Sequence, residues 1–208
     1  GDAFLMSSLF TASEIALARL GLAALARDDL DVLVGGLGLG CTAAAVLEDA
    51  RVRSLHVVEL LAPVIEWHRE GLLPLGDTLT GDPRCHFVQG DFFALSQSAA
   101  GYLPDHPHKR FDAILLDIDH APDYVLDPGN ESFYTRSGLA ALARHLEHRG
   151  VFGLWSNDPP NDAFKATLAD VFDKVEAHVV PFPNPYLRQD SACTVYLAME
   201  PKEAGHTA

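Results

Sequence analysis

Apolar residues occur along the chain as short runs that alternate with longer segments of helical periodicity. The short runs, which we expect to form strands, are 32–34, 55–58, 85–88, 111–116, 151–155, 175–180 and 194–199. The segments expected to form helices lie at about 12–27, 41–49, 63–73, 135–148 and 161–173. This alternation of strands and helices predicts an α/β fold.

The order of these segments also predicts the topology of the sheet. The first five strands alternate with helices and should therefore run parallel, with helices on both faces of the sheet. The last two strands are joined by residues 181–192 without a helix-sized segment, so they should form an antiparallel hairpin. We expect residues 31–208 to form a single globular unit, and residues 1–30 to form an extension whose helix packs on it.

The first predicted helix has a recognisable start. Thr11 and Glu14 have the T-x-x-E spacing of a capping box, in which the two side chains bond to backbone N–H groups. We expect the helix to pack beside the sheet. A second interpretation places the preceding residues 6–10 over the functional site as part of its roof.

The segment after the first strand is rich in glycine. Glycine allows positive φ and leaves no Cβ between the backbone and a ligand, so a nucleoside can lie against this loop where the next helix begins. No glycine stands three places after Gly38, and this spacing disfavours NAD. We expect a nucleoside cofactor to contact Gly35, Gly36, Gly38 and Gly40.

Acidic residues follow the second and third strands. Glu59 ends the second strand, where its two oxygens can accept hydrogen bonds from both ribose hydroxyls. Asp91 can accept from an adenine amino group, and Phe92 beside it offers an apolar face to the ring. A solvated Glu59 and a helix-capping Asp91 are the structural alternatives. We expect Glu59, Leu60, Asp91 and Phe92 to bind the cofactor.

The fourth strand is followed by two carboxylates and an imidazole, Asp117, Asp119 and His120. In a strand-like conformation Asp117 and Asp119 point the same way, so one can orient cofactor or substrate while the other accepts a proton. An acidic loop with a capping role is the structural alternative. We expect all three residues to be catalytic, with Asp117 also contacting the cofactor.

A long irregular loop follows these residues. Pro122, Pro128 and Gly129 interrupt regular structure as far as Tyr134, which makes the loop long enough to cover a pocket. We expect Tyr134, and Trp155 at the end of the fifth strand, to contact the substrate.

Composition excludes several classes of partner. The formal net charge is −14, which disfavours a nucleic acid partner. No apolar run approaches the roughly 20 residues that would span a membrane. The three cysteines lie far apart and no secretory signal is visible, so we expect a cytoplasmic protein. Asp105, His106 and His108 lack the spacing of a zinc site, and no metal is expected.

The motifs, taken in order, resemble the spermidine synthase family of polyamine aminopropyltransferases, within the class I S-adenosylmethionine-dependent methyltransferase superfamily. They are FLMSS, TASE, VLVGGLGLG, VVELLAPVIEWHR, QGDFF, FDAILLDIDHAP and FYTRSGLAAL, and they cover nearly the whole chain. The resemblance implies a Rossmann-like fold with a mostly parallel seven-stranded sheet. It also implies that the glycine loop approaches the amino-acid or aminopropyl end of the cofactor, while Asp117 faces the sulfonium and the acceptor.

Two positions depart from the family's pattern. Spermidine synthases carry an acidic residue where Gly38 stands and a catalytic aspartate where His120 stands. The first departure removes a partner for the amine of decarboxylated S-adenosylmethionine and leaves room for the carboxylate of S-adenosylmethionine. The chain also begins after the point where such enzymes complete a small N-terminal β domain, which weakens the expectation of a dedicated polyamine site.

These features predict a transferase that uses S-adenosylmethionine or its decarboxylated form, without a metal, to alkylate a small-molecule acceptor. The acidic composition favours a cationic amine as acceptor, and Gly38 favours methyl transfer. A true aminopropyltransferase that makes a polyamine and a non-catalytic nucleoside-binding module are the alternatives. The resemblance also allows a homodimer.

Overall fold

The computed structural model describes residues 11–184 and 189–202, so the roof expected from residues 6–10 lies outside it. Its strands are β1 (Leu30–Gly35), β2 (Val52–Glu59), β3 (Cys85–Gln89), β4 (Phe111–Leu116), β5 (Leu146–Ser156), β6 (Phe172–Asn184) and β7 (Gln189–Pro201). These strands form one seven-stranded sheet with the order β3-β2-β1-β4-β5-β7-β6.

The pairing of the strands confirms the predicted topology. β1 pairs in parallel with β2 and β4, β2 pairs with β3, and β4 pairs with β5. β7 is antiparallel to both β5 and β6. β6 continues to Asn184 and β7 begins at Gln189, so much of the loop predicted over residues 181–192 is strand.

Helices cover both faces of the sheet. They are α1 (Ala12–Ala23), α2 (Cys41–Leu47), α3 (Ala62–Arg69), α4 (Gly76–Gly81), α5 (Phe92–Gln97), α6 (Arg136–Ala143) and α7 (Asp162–Ala169), with a 3-10 helix at Pro128–Tyr134. Successive strand side chains point to opposite faces, and Val32 and Val34 accordingly pack with α1 while Leu33 packs with α5. Within the described ranges, no helix is long and apolar enough to span a bilayer.

Several predicted helices were wrong in length. α3 ends at Arg69, and the separate helix α4 was not predicted. α6 ends at Ala143 because Leu146 already pairs with Phe111 of β4, so the segment predicted to finish the helix is strand. Tertiary pairing overrides local helical periodicity at this point.

The predicted capping box at the start of α1 was also wrong. Thr11 occupies the N-cap position, but its side chain makes no capping hydrogen bond. Glu14 instead accepts a hydrogen bond from Ser13 Oγ at 2.8 Å. Its carboxylate therefore bonds within the first turn of α1, but not in the reciprocal arrangement of a capping box.

We expect Leu115→Ala to lower the free energy of unfolding by about 3 kcal/mol, measured by urea denaturation. Leu115 is fully buried between α1 and β5, where a Cβ added to Gly21 or Gly153 would lie within 3 Å of its side chain. Val179→Ala is the control, because Val179 is 56% exposed and its truncation should cost less than about 0.5 kcal/mol. Equal losses in the two variants would contradict this account of the core.

Candidate functional site

A cavity of about 740 Å³ lies at the carboxyl ends of β1 to β4. Parallel strands end at the same edge of a sheet, so the turns that follow them meet there. Among the lining residues are seven of those predicted to bind a cofactor, Gly36, Gly38, Glu59, Leu60, Asp91, Phe92 and Asp117. A cavity of this size suits a nucleoside-sized ligand.

Glycine is required where the loop after β1 passes the end of β4. Gly36 has φ +94°, and a Cβ added to it would lie 2.2 Å from the backbone oxygen of Asp117. Gly36 N–H donates to Val58 O, which ties the loop to the end of β2. This close passage leaves the main chain of Gly36 and Gly38 facing the cavity.

Gly35 and Gly40, which were also expected to contact the nucleoside, do not line the cavity. A Cβ added to Gly35 would lie 2.5 Å from the ring of Phe92. Gly40 has φ +88° as the residue before α2, and an added Cβ would lie 2.6 Å from Leu79. Both glycines therefore allow close packing of the loop against its neighbours, outside the cavity lining.

Glu59 joins the glycine loop to the start of α3. Its Oε2 accepts from Leu37 N–H at 3.0 Å, and its Oε1 accepts from Leu61 N–H at 2.8 Å. The carboxylate is partly buried and lines the cavity, and the neighbouring Leu60 lies at the mouth with 61% exposure. Glu59 thus holds two walls of the cavity together.

Asp91 combines the two roles expected for it from the sequence. Its Oδ1 accepts from the N–H groups of Phe93 and Ala94 and so caps α5. Its carboxylate also lines the cavity. Phe92 is 2% exposed, and its ring packs against Tyr102, so it serves as the floor of the cavity more than as an open stacking face.

Asp117 is a cavity carboxylate with a raised proton affinity. Its Oδ2 accepts from Thr42 Oγ1 at 2.8 Å. Burial, and then the negative charge of Glu14, raise the pKa of Asp117 from its ordinary value of 3.8 to about 7, which the Thr42 hydrogen bond only partly opposes. Asp117 can therefore accept or release a proton near neutral pH.

Glu14 was missed as a site residue. Burial raises the pKa of its carboxyl group, and Thr42 Oγ1, which bonds to Asp117, lies 3.5 Å from the backbone oxygen of Glu14. The T-x-x-E spacing pointed to a local capping role, so the sequence held no signal for an interaction with the residue that follows β4. α1 brings the two acids together only in the folded chain.

Asp117 and Asp119 were expected to point the same way, but only Asp117 faces the cavity. Asp119 is 1% exposed, does not line the cavity and accepts hydrogen bonds from Leu126 N–H, Asn130 Nδ2 and Tyr134 Oη. β4 ends at Leu116, so the alternation of a strand does not continue through residue 119. The side chain instead turns inward and fixes the following loop.

The other three predicted catalytic or substrate residues also lie outside the lining. His120 stacks on Tyr124, with ring centroids 5.1 Å apart. Tyr134 is buried, and its hydroxyl donates to Asp119 at 2.8 Å. Trp155 packs against the core cluster that contains α1, because it faces that side of β5. None of the three reaches the cavity in this structure.

The loop held by Asp119 supplies one wall of the cavity, which the sequence did not predict residue by residue. Leu126, Asp127, Gly129 and Asn130 line the cavity from this side. Asn130 Nδ2 donates to both Asp119 oxygens, at 3.0 and 3.2 Å, so the buried carboxylate sets the position of the wall. The proline and glycine pattern indicated a covering loop but could not identify the side chains that face inward.

The charged side chains that line the cavity are all acidic. Its charged residues are Glu59, Asp91, Asp117 and Asp127, and no Lys, Arg or His in the described part of the chain lines it. Within residues 11–184 and 189–202, no group of three or more His, Cys, Asp or Glu side chains is placed to hold a metal ion. The cavity thus offers hydrogen-bond acceptors and an environment that favours positive charge.

Comparison with known proteins finds curated relatives and solved structures that are similar to this chain. Polyamine aminopropyltransferase 2 of Pseudomonas aeruginosa is 31% identical over 170 residues, which are 78% of this chain and 45% of the relative. The chain therefore spans less than half the length of that protein. No family model matches the chain.

The structural neighbours share the fold at lower identity. Spermidine synthase from Thermotoga maritima has a TM-score of 0.69 and 20% identity, over 91% of this chain and 60% of its own. A spermidine synthase in complex with the transition-state analogue AdoDATO has a TM-score of 0.68 and 21% identity, over 91% of this chain and 61% of its own. Human methyltransferase-like protein 13 in complex with SAH has a TM-score of 0.60 and 19% identity, over 95% of this chain and 82% of its own. The 31% identity over 78% of the chain places it in the spermidine synthase-like family, and the solved neighbours share its fold.

Proposed function

We propose that the chain is a transferase that binds S-adenosylmethionine or its decarboxylated form in the described cavity and passes an alkyl group to a small amine. The observation that carries this proposal is that Glu59, Asp91 and Asp117, which follow or end three different strands, line one cavity beside the glycine loop. Solved neighbours bound to AdoDATO and to SAH support a ligand of this type.

The unused acceptor positions suit a nucleoside. Each Glu59 oxygen accepts one backbone N–H and has a second lone pair, so both oxygens remain able to accept from ribose hydroxyls. Asp91 caps α5 through Oδ1, which leaves Oδ2 to accept from an adenine amino group. Gly36 and Gly38 let the remaining part of the ligand lie against the backbone.

The charge of the lining favours an aminopropyl group over a methyl group. The carboxylate of S-adenosylmethionine would meet Asp117 and Asp127 without a Lys, Arg or His side chain from the described lining to pair with it. Decarboxylated S-adenosylmethionine carries an ammonium group in place of that carboxylate. The preference for methyl transfer, which rested on Gly38, gains no support from this cavity, whereas the name of the curated relative agrees with aminopropyl transfer.

The residues supply positioning and one proton acceptor. The amine nitrogen attacks a carbon bonded to the sulfonium, so that a C–N bond forms while the C–S bond breaks and the nucleoside leaves as a neutral thioether. The alkylated nitrogen then sheds one proton. Asp117, with its raised pKa, can take that proton at neutral pH while Thr42 holds the carboxylate in place. We assign Asp119 and Tyr134 to holding the cavity wall, a role that their mutual hydrogen bond supports.

Calorimetric titration with the two nucleosides tests the proposal. We expect decarboxylated S-adenosylmethionine to bind more tightly than S-adenosylmethionine, and Glu59→Gln to weaken binding of both by roughly tenfold, through loss of a charged acceptor. Asp105→Asn, in an exposed loop remote from the cavity lining, is the control and should bind as the wild type does. Failure of the wild type to bind either nucleoside at millimolar concentration would refute the function.

The raised pKa of Asp117 also predicts how stability depends on pH. Between pH 3.8 and about 7 the folded state holds a proton on Asp117 that the unfolded chain releases, so this group's contribution to stability falls as pH rises. Asp117→Asn removes the buried charge. We expect its melting temperature, relative to the wild type, to be higher at pH 8 than at pH 5 by about 3 °C or more.

Asp119→Asn is the matched comparison for that experiment. It should lower the melting temperature at both pH values, because an amide nitrogen conflicts with donors that now reach the carboxylate. A gain for Asp117→Asn that is the same at pH 5 and pH 8 would contradict the raised pKa.

Glu14→Gln should alter the pH dependence of turnover. The negative charge of Glu14 helps to raise the pKa of Asp117, so its removal should move the acidic limb of the kcat/KM profile to lower pH by about half a unit or more. The measurement is kcat/KM from pH 5 to 9 with decarboxylated S-adenosylmethionine and putrescine. An unmoved acidic limb, in a variant that remains folded and active, would show that Glu14 does not act on Asp117.

A further inference from the structure

A buried histidine lies directly behind the glycine loop. His68 belongs to α3 and is 0% exposed, and its Nε2 lies 3.0 Å from the backbone oxygen of Gly38. A carbonyl oxygen can only accept a hydrogen bond, so Nε2 carries the proton and donates. Nδ1 has no hydrogen-bond partner in the described part of the chain.

The ring of His68 is held tightly by its neighbours. A Cβ added to Gly40 would lie 3.1 Å from Cε1 of His68 and 2.6 Å from Leu79, so the loop, α3 and α4 meet without a gap. The ring centroid of Phe87 on β3 lies 5.9 Å away. This packing fixes the direction in which Nε2–H points, and the donor is aimed at Gly38 O.

The loop needs such a restraint because glycine gives it many accessible conformations. Gly36, Gly38 and Gly40 all have positive φ. Glu59 restrains the loop on the cavity side by accepting from Leu37 N–H, one residue before the carbonyl that His68 holds. His68 on α3 and Glu59 at the end of β2 therefore bond to adjacent residues of the loop.

We propose that His68 is a positioning residue for the nucleoside site, which through its Nε2–H bond to Gly38 O holds the glycine loop in the conformation that lines the cavity. The ligand in this inference rests on the proposed function, whereas the restraint on the loop is a property of the free protein. The bond turns the Gly38 carbonyl toward the interior, so that this oxygen does not project at the ligand. Without it, Gly38 O is satisfied only if the loop moves so that water or another donor reaches it.

Two variants of His68 distinguish the effect of losing the hydrogen-bond donor from the effect of losing the volume of the ring. His68→Leu keeps an apolar side chain of similar volume and removes the donor, whereas His68→Gln restores an N–H near the position of Nε2. His145→Leu is the matched control, because His145 is also buried and its Nε2 lies 2.9 Å from a backbone oxygen, that of Ser96, which is outside the cavity lining.

Hydrogen exchange in the free protein is the first measurement. The amides of Gly36, Leu37 and Gly40 each donate to an acceptor within the protein and therefore report loop opening. We expect their exchange to quicken by roughly tenfold in His68→Leu, to return toward the wild-type rate in His68→Gln, and to stay unchanged in His145→Leu. Nitrogen chemical shifts of His68 should show the Nε2–H tautomer.

Titration with methylthioadenosine is the second measurement. We expect the dissociation constant to rise roughly tenfold in His68→Leu and to recover in His68→Gln, while His145→Leu lowers only the melting temperature. Unchanged loop exchange in His68→Leu, or equal nucleoside affinity in His68→Leu and wild type, would overturn the inference. Faster loop exchange together with no nucleoside binding by any variant would support the restraint and refute the proposed function.

Discussion

The close passage of the glycine loop beneath the end of β4 is the constraint on which the site depends. Asp117 N–H donates to Gly35 O at 2.9 Å, and Gly36 lies so near the oxygen of Asp117 that no Cβ fits between them. The loop can therefore bridge the ends of β2 and β4, which flank β1 in the sheet. As a consequence, Glu59 and Asp117 face the same cavity although they follow strands that do not pair with each other.

Two aspartates separated by one residue have opposite environments. Asp119 accepts hydrogen bonds from three donors and holds a wall of the cavity. Asp117 accepts from one hydroxyl, and its partial burial and the charge of Glu14 disfavour its charged form. The unfavourable environment of the Asp117 charge lowers the stability of the fold, which fits a reactive role. The hydrogen bonds that Asp119 accepts fit a supporting role.

Much of this arrangement could be predicted from the sequence, because short apolar runs mark buried strands and the turns after parallel strands meet at one edge. Glu59, Asp91 and Asp117 were located at that edge by their positions after such runs. The direction of Asp119 could not be predicted, since it depends on where β4 stops, and the alternation rule applies only within a strand. The role of Glu14 was not predicted, because the residue it acts on, Asp117, lies far away along the chain. Its local T-x-x-E spacing is equally typical of a helix cap.

The central claim is that the acids at the ends of β2, β3 and β4 surround one nucleoside, and a crystal structure with methylthioadenosine tests it most directly. The account predicts ribose hydroxyls within about 3 Å of the Glu59 oxygens, the adenine beside Asp91, and the sulfur directed toward Asp117. A nucleoside bound elsewhere on the chain, or one whose ribose makes no contact with Glu59, would contradict it.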